Sequence, residues 1–116
     1  NMKLDRQELH VLRELKARYY LPVNKFANAI AAKQISVHYC QGLDKTECTI
    51  SNQESLSAFV GMSFVNKKEP KVSLRIGQMI AFARAVVNWY NAVRYNGENS
   101  CVISGNDLEK IARGIN

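Results

Sequence analysis

The chain has 116 residues, of which 47% are hydrophobic and 22% charged, and its formal net charge is +6. This length is typical of one domain with one core, and the composition is ordinary for a globular protein, so we treat 1–116 as a single domain. No apolar run approaches the 18 residues of a membrane span, and the N-terminus lacks the basic-then-apolar pattern of a secretory signal. We therefore expect a cytoplasmic protein.

The first predicted helix follows Asp5, whose carboxylate can accept an orphan backbone N–H, with Glu8 three residues later as in a capping box. Its apolar stripe continues through Leu12 and Leu15, and the opposite face is basic. The helix is predicted from about Arg6 to Arg18. Pro22 ends this unit and begins a second helix that runs to about Lys33.

The pattern changes period after Lys33. Residues 35–40 alternate between apolar and polar, and a second β-rich run covers 46–50, so a short antiparallel hairpin is predicted over about 35–50. Residues 101–103 could supply a third strand. The alternative interpretation is a helix-turn-helix over 23–43, with His38 and Gln41 facing the bases of DNA. β-Branched residues in 35–40 favour the strand.

Ser51 and Glu54 form another capping-box pattern and predict a helix bearing Leu56, Phe59 and Val60. Gly61 weakens its later part, so 62–65 could instead be a strand paired with 72–76. Residues 66–71 read as a surface loop.

The longest apolar-periodic segment is 73–95, and it includes the only Trp. Apolar residues occupy most of its circumference, which is typical of a helix buried on more than one side. Its first residues also alternate as a strand would, but helix is favoured. A last short helix is predicted after Asn106, with Glu109 three residues later. The fold class is therefore α+β and predominantly helical, with four to five helices around the long helix and the small hairpin.

Chemistry-bearing residues form no strong motif. His38, Cys40 and Cys48 have the ligand types of a zinc site, with Cys101 or His10 as a fourth ligand, but structural zinc sites favour two close pairs. The odd, widely spaced cysteines fit reduced thiols better than disulfides, and a Cys40–Cys48 bridge is the only candidate pairing. No nucleophile lies in a recognisable context with a base, and no glycine-rich loop follows a strand. We expect no enzyme activity, no cofactor and no metal.

Uneven positive charge suggests one class of partner. Basic residues on the first helix, in the 67–75 segment and along the long helix would contact phosphates in a nucleic-acid-binding regulatory protein. The candidate residues are Arg6, Arg13, Lys16, Arg18, Lys67, Lys68, Lys71, Arg75, Arg84 and Arg94.

A surplus of aromatic residues suggests the other class. Aromatic side chains dominate the energetics of protein interfaces, and the candidates are Tyr19, Tyr20, Trp89, Tyr90 and Tyr95. Self-association is the simplest case, with the long helix as the dimer seam. The favoured hypothesis is a small non-enzymatic interaction protein, an adaptor or inhibitor of a larger assembly, of the kind found among phage or plasmid accessory proteins. Nucleic-acid binding is the alternative, and we expect no membrane or small-molecule partner.

Overall fold

The computed structural model describes residues 3–64, 73–95 and 103–114. The order of elements confirms an α+β fold with one long helix. The described elements are α1 (Arg6–Tyr19), α2 (Val23–Ala31), β1 (Ile35–Gln41), β2 (Lys45–Asn52), β3 (Ala58–Phe64), α3 (Leu74–Tyr90), a π-helical turn (Asn91–Tyr95) and α4 (Gly105–Arg113). The predicted loop 66–71 lies outside the described residues, as do 101 and 102. Among the described helices, none is both long and apolar enough to cross a membrane.

The N-terminus of α1 is capped as predicted. The Asp5 side chain accepts a hydrogen bond from the Glu8 N–H, and the Glu8 side chain accepts one from the Asp5 N–H, both at 2.9 Å. This reciprocal pair satisfies two of the donors that a helix start leaves open. The helix ends at Tyr20, which adopts the left-handed conformation with φ 58°.

The predicted hairpin is matched only in part, because β1 and β2 belong to a three-stranded antiparallel sheet in the order β1-β2-β3. Val37 pairs with Ile50, and Cys48 pairs with Tyr39 on one side and with Gly61 on the other. The helix-turn-helix interpretation is wrong, because its second helix is strand β1. The β-branched Ile35 and Val37 are buried against the core in that strand.

The helix predicted after Ser51 is wrong as well. The Asn52 side chain accepts hydrogen bonds from the N–H groups of Glu54 and Ser55, and so closes a tight turn. The chain then returns as β3 beside β2, so Ala58–Phe64 supplies the third strand. This strand pairs with β2, and residues 74–76 belong to a helix instead.

Helix α3 is confirmed as the centre of the fold and is about 26 Å long, at 1.5 Å per residue. Ser73 caps it, and the π-helical turn continues it to Tyr95. Helix α3 packs on β2 and β3 of the sheet, and also on α1 and α4. The Phe26 ring from α2 makes edge-on contacts with Phe82 and Trp89, at centroid distances of 5.8 and 5.4 Å.

The contact between α3 and β3 is unusually close at Gly61. A Cβ atom at this position would lie under 3.0 Å from the carbonyl oxygen of Ala81 and from the nitrogen of Ala85. Both alanines are completely buried. Nearer the start of α3, the Ser63 hydroxyl donates to the Gly77 carbonyl at 2.8 Å. The helix backbone therefore rests directly on the strand, because small residues face each other.

The last helix begins two residues earlier than predicted. Ser104, rather than Asn106, is the N-cap, and its hydroxyl accepts from the Asp107 N–H at 3.2 Å. The apolar stripe of α4, which includes Leu108 and Ile111, is buried in the core as the predicted helix required.

Gly61→Ala should destabilise the fold by about 3 kcal/mol or more, because the new methyl group meets backbone that cannot move without displacing α3. Urea unfolding measures the change. Gly42→Ala is the control: its Cβ would lie 3.3 Å from the flexible Lys45 side chain, so the cost should stay below about 1 kcal/mol. Equal costs at the two positions would contradict the close contact.

Candidate functional site

The predicted basic face of α1 exists. Arg6, Arg13 and Lys16 are exposed, and their spacing places them on one side of the helix. None of the three is in an ion pair within the described part of the chain. Arg18 lies apart from them and pairs with Glu14 at 2.9 Å. We refer to Arg6, Arg13 and Lys16 as the α1 basic strip.

The other predicted basic residues do not extend this strip. Arg75 is half-buried and contacts Asp5 and Gln7, and it donates to the Gln78 side chain at 3.0 Å. Arg84 is half-buried too and donates to the Met62 carbonyl at 2.6 Å. Lys67, Lys68 and Lys71 lie outside the described residues, as does the side chain of Arg94.

The aromatic candidates are divided between core and surface. Trp89 and Tyr90 are only 6% and 3% exposed, so they stabilise the core and present no surface to a partner in this conformation. The prediction that Trp89 and Tyr90 contact a protein partner is corrected for that reason. The Tyr19 hydroxyl donates to Asp107 at 2.8 Å and ties α1 to α4. Tyr20 is 87% exposed, and the Tyr95 side chain lies outside the described residues.

A buried polar cluster joins α1, β1 and α3. Glu8 is completely buried, and one of its oxygens accepts from the Tyr39 hydroxyl at 2.6 Å. The guanidinium carbon of Arg75 lies 5.9 Å from the centre of the Tyr39 ring, and Arg75 pairs with Asp5 at the helix cap. The cluster thus fixes the N-terminus of α1 against the sheet and the start of α3.

Burial governs the acid–base properties of this cluster. Burial raises the pKa of Glu8, against hydrogen bonds from the Asp5 N–H and Tyr39 that lower it. Burial and the bond to Glu8 raise the pKa of Tyr39. Burial, with the nearby Glu8 charge, raises the pKa of Cys48 to about 12, so this thiol stays protonated and unreactive at neutral pH. Burial also acts to raise the pKa of Asp5, but backbone N–H groups and Arg75 lower it overall.

The proposed zinc ligands are separated by the sheet. Cys48 faces α3 with Tyr39, whereas His38 and Cys40 alternate to the opposite face. Among the described residues, no three His, Cys, Asp or Glu side chains are grouped as metal ligands would be. Cys40 and Cys48 are both free thiols, and the sheet register places them on different faces.

An exposed apolar row on β3 was not predicted from the sequence. Val60, Met62 and Phe64 point away from α3 and are 38%, 37% and 68% exposed. In the antiparallel pairing of β3 with β2, they lie opposite Thr49, Glu47 and Lys45, which form a polar row on β2. We call Val60, Met62 and Phe64 the β3 ridge.

The outer edge of β3 is covered in part by side chains of α3. Asn88 donates to the Val60 carbonyl at 2.9 Å, and Arg84 donates to the Met62 carbonyl at 2.6 Å. Between this edge and α4 lies a groove of about 400 Å³, with Val87, Asn88 and Asn91 on its floor. Its far wall includes Ile103 and Leu108. Edge carbonyls satisfied by side chains make strand-to-strand aggregation less favourable.

The chain matches no protein-family model, no curated protein and no solved structure. Three surfaces of the described residues are available to a partner: the α1 basic strip, the β3 ridge and the groove.

The raised pKa of Glu8 gives a pH dependence of stability with a definite sign. The folded state holds this proton more tightly than the unfolded state, so the contribution is present below the ordinary value of 4.5 and is lost as pH rises through the raised pKa. Glu8→Gln does not titrate and keeps an acceptor for the cap. We expect the stability of the variant, relative to the natural chain, to increase between pH 4.5 and neutrality.

Urea unfolding at several pH values measures this difference. Asp5 contributes with the opposite sign, since its lowered pKa gives stability that is lost as pH falls, but it is present in both chains and cancels in the comparison. A difference between the two chains that does not change with pH would show that Glu8 is not titrating in the buried cluster.

Proposed function

We propose that the chain is a small non-enzymatic interaction protein that binds another protein through the open face of its sheet. The observation that carries this proposal is the β3 ridge, whose three large apolar side chains face solvent along one strand. Contiguous apolar surface with a polar surround is characteristic of protein–protein contact sites. The Lys45–Glu47 ion pair on β2, at 3.0 Å, belongs to that polar surround.

The size of this face defines the kind of complex. Three strands spaced about 4.8 Å apart and about 23 Å long give a footprint on the order of 300 Å². A stable interface buries about 800 Å² on each partner, so the sheet face alone supports a transient contact, or one part of a larger surface. A regulatory adaptor or inhibitor fits this range better than a permanent subunit does.

Self-association remains the simplest case, but we propose the sheet face, and not α3, as the contact surface between the two copies. Helix α3, the seam expected from the sequence, is covered on both sides within the protomer, and Met79 and Phe82 are completely buried. Two copies would instead pack sheet face against sheet face, with the two ridges in contact. A cytoplasmic location stays part of this proposal.

A photo-crosslinking amino acid at Met62 should test the proposal in cells of the source organism. We expect one defined adduct, whose mass assigns it either to a second copy of the chain or to one other protein. The same group at Lys25, which is exposed on α2, should give no such adduct. Replacing Val60 and Phe64 with Thr, a good strand former, should abolish crosslinking from position 62 without unfolding the sheet. If the chain with the photo-crosslinking amino acid at position 62 gives no adduct at native expression, the proposal is overturned.

Nucleic-acid binding is the second candidate, and the α1 basic strip is the observation that favours it. Three cations without ion-pair partners in the described residues lie along one side of a helix, within about 15 Å of its length. Such a strip can track phosphates without reading sequence. Binding would release counterions, so affinity should fall with salt at about −0.9 per phosphate neutralised on duplex DNA.

Fluorescence anisotropy with duplex and single-stranded probes measures that slope. Changing Arg6, Arg13 and Lys16 to Gln should make the slope shallower by about 2.7, since three phosphate contacts disappear. The same change at Arg18, which is already paired with Glu14, should have little effect. Absence of binding to DNA or RNA at ~50 mM salt would remove this candidate.

A further inference from the structure

The groove between β3 and α4 contains backbone N–H donors of the strand edge that are open to a ligand. The carbonyls of Val60 and Met62 already accept from Asn88 and Arg84. The N–H and C=O of one strand residue point to the same side, so the N–H groups of Val60 and Met62 also face away from β2. Neither N–H has a hydrogen-bond partner in the described part of the chain. The strand edge therefore offers donors to a ligand, while its acceptors are occupied.

The groove also contains an uncompensated positive charge. Arg84 forms no ion pair among the described residues, and its one hydrogen bond there is to a neutral carbonyl. No described Asp or Glu lines the groove. A guanidinium has five N–H donors, so Arg84 can keep its bond to Met62 and still bind an anion. A guanidinium forms strong, often bidentate hydrogen bonds with planar carboxylates, the anionic groups that a peptide carries.

The shape of the groove limits the ligand further. Its volume of about 400 Å³ is within the range of small-ligand pockets, so it admits a few residues rather than a folded domain. One wall is a strand edge, and apolar side chains of Val87, Ile103 and Leu108 contribute to the rest. An extended peptide segment presents carbonyl acceptors to a strand edge and side chains to apolar walls.

We propose that this groove binds an extended peptide segment through a carboxylate that pairs with Arg84. The N–H groups of Val60 and Met62 bind the carbonyls of the segment, and the carboxylate is either its C-terminus or an Asp or Glu side chain. The inference deepens the proposed function, since its ligand is a protein segment, but it uses the edge N–H groups of β3 and Arg84 in the groove, and not the outward side chains of the β3 ridge. A partner that contacts both the groove and the β3 ridge would bury a larger area than the sheet face alone provides.

A random peptide library displayed with a free C-terminus tests the inference on the full chain. Peptides that bind the natural chain are kept, and those that also bind the Arg84→Gln variant are discarded. This variant removes the charge but keeps a donor for the Met62 carbonyl. Enriched peptides should bind the variant at least about tenfold more weakly, as expected for loss of a charged hydrogen-bond partner. Amide NMR signals of Val60 and Met62 should shift on binding. Amidated copies of the peptides distinguish a C-terminal carboxylate from a side-chain carboxylate.

Lys25→Gln is the matched control, because it removes the same charge from an exposed site on α2. Peptides that bind this variant and Arg84→Gln with equal affinity would respond to net charge alone and would overturn the inference. So would a selection that enriches no peptide over Arg84→Gln, or enriched peptides that leave the Val60 and Met62 amides unshifted. A crosslinker at position 62 that gives no adduct, while the natural chain still binds peptides that Arg84→Gln binds weakly, would show failure of the proposed function alone. An adduct at position 62 without any such peptide would show failure of this inference alone.

Discussion

The structure depends on the backbone of α3 lying directly against β3. Five positions along one side of the helix meet the strand in succession as it runs the opposite way. Gly77 accepts from Ser63, Ala81 and Ala85 contact Gly61, and the Arg84 and Asn88 side chains bind strand carbonyls. Close packing at the centre is flanked by hydrogen bonds at both ends. This seam fixes the register of helix on sheet, because a shift along the strand would bring Gly61 against larger side chains.

The same seam accounts for the unusual surface of β3. A strand that faces a helix backbone has room only for small side chains on that side, and Gly61 and Ser63 meet this requirement. The large apolar side chains of Val60, Met62 and Phe64 consequently face outward, whereas Phe59 packs against the core beyond the close contact. Apolar surface turned to solvent costs free energy that burial would recover, at about 25 cal/mol for each Å². A binding partner that covers the ridge recovers it, so packing inside the protomer and interaction outside it have one physical origin.

Local signals predicted part of this fold and part of the candidate site. Asp5 and Glu8 identified the start of α1, alternation identified the hairpin, and the apolar circumference of 73–95 identified α3. The sequence predicts a helix over the first part of β3 and leaves 62–65 open as a strand with a different partner, so β3 was not identified as one strand beside β2. From Val60 to Phe64 its alternation is inverted, with Gly61 and Ser63 inside, and that pattern is understandable only once α3 is known to approach so closely. The partner of Arg84 and the burial of Trp89 are likewise properties of tertiary packing.

Solvent exposure of the methionine methyl groups tests the α3–β3 seam most directly. The chain has three methionines, of which Met79 is buried on α3 and Met62 lies on the outward ridge. With methyl-labelled methionine and a soluble paramagnetic agent, the Met62 signal should broaden strongly while the Met79 signal is protected. Nuclear Overhauser contacts should join the Gly61 α-protons to the methyl groups of Ala81 or Ala85. A protected Met62, with no contact between Gly61 and either alanine, would contradict the arrangement on which both proposed binding surfaces depend.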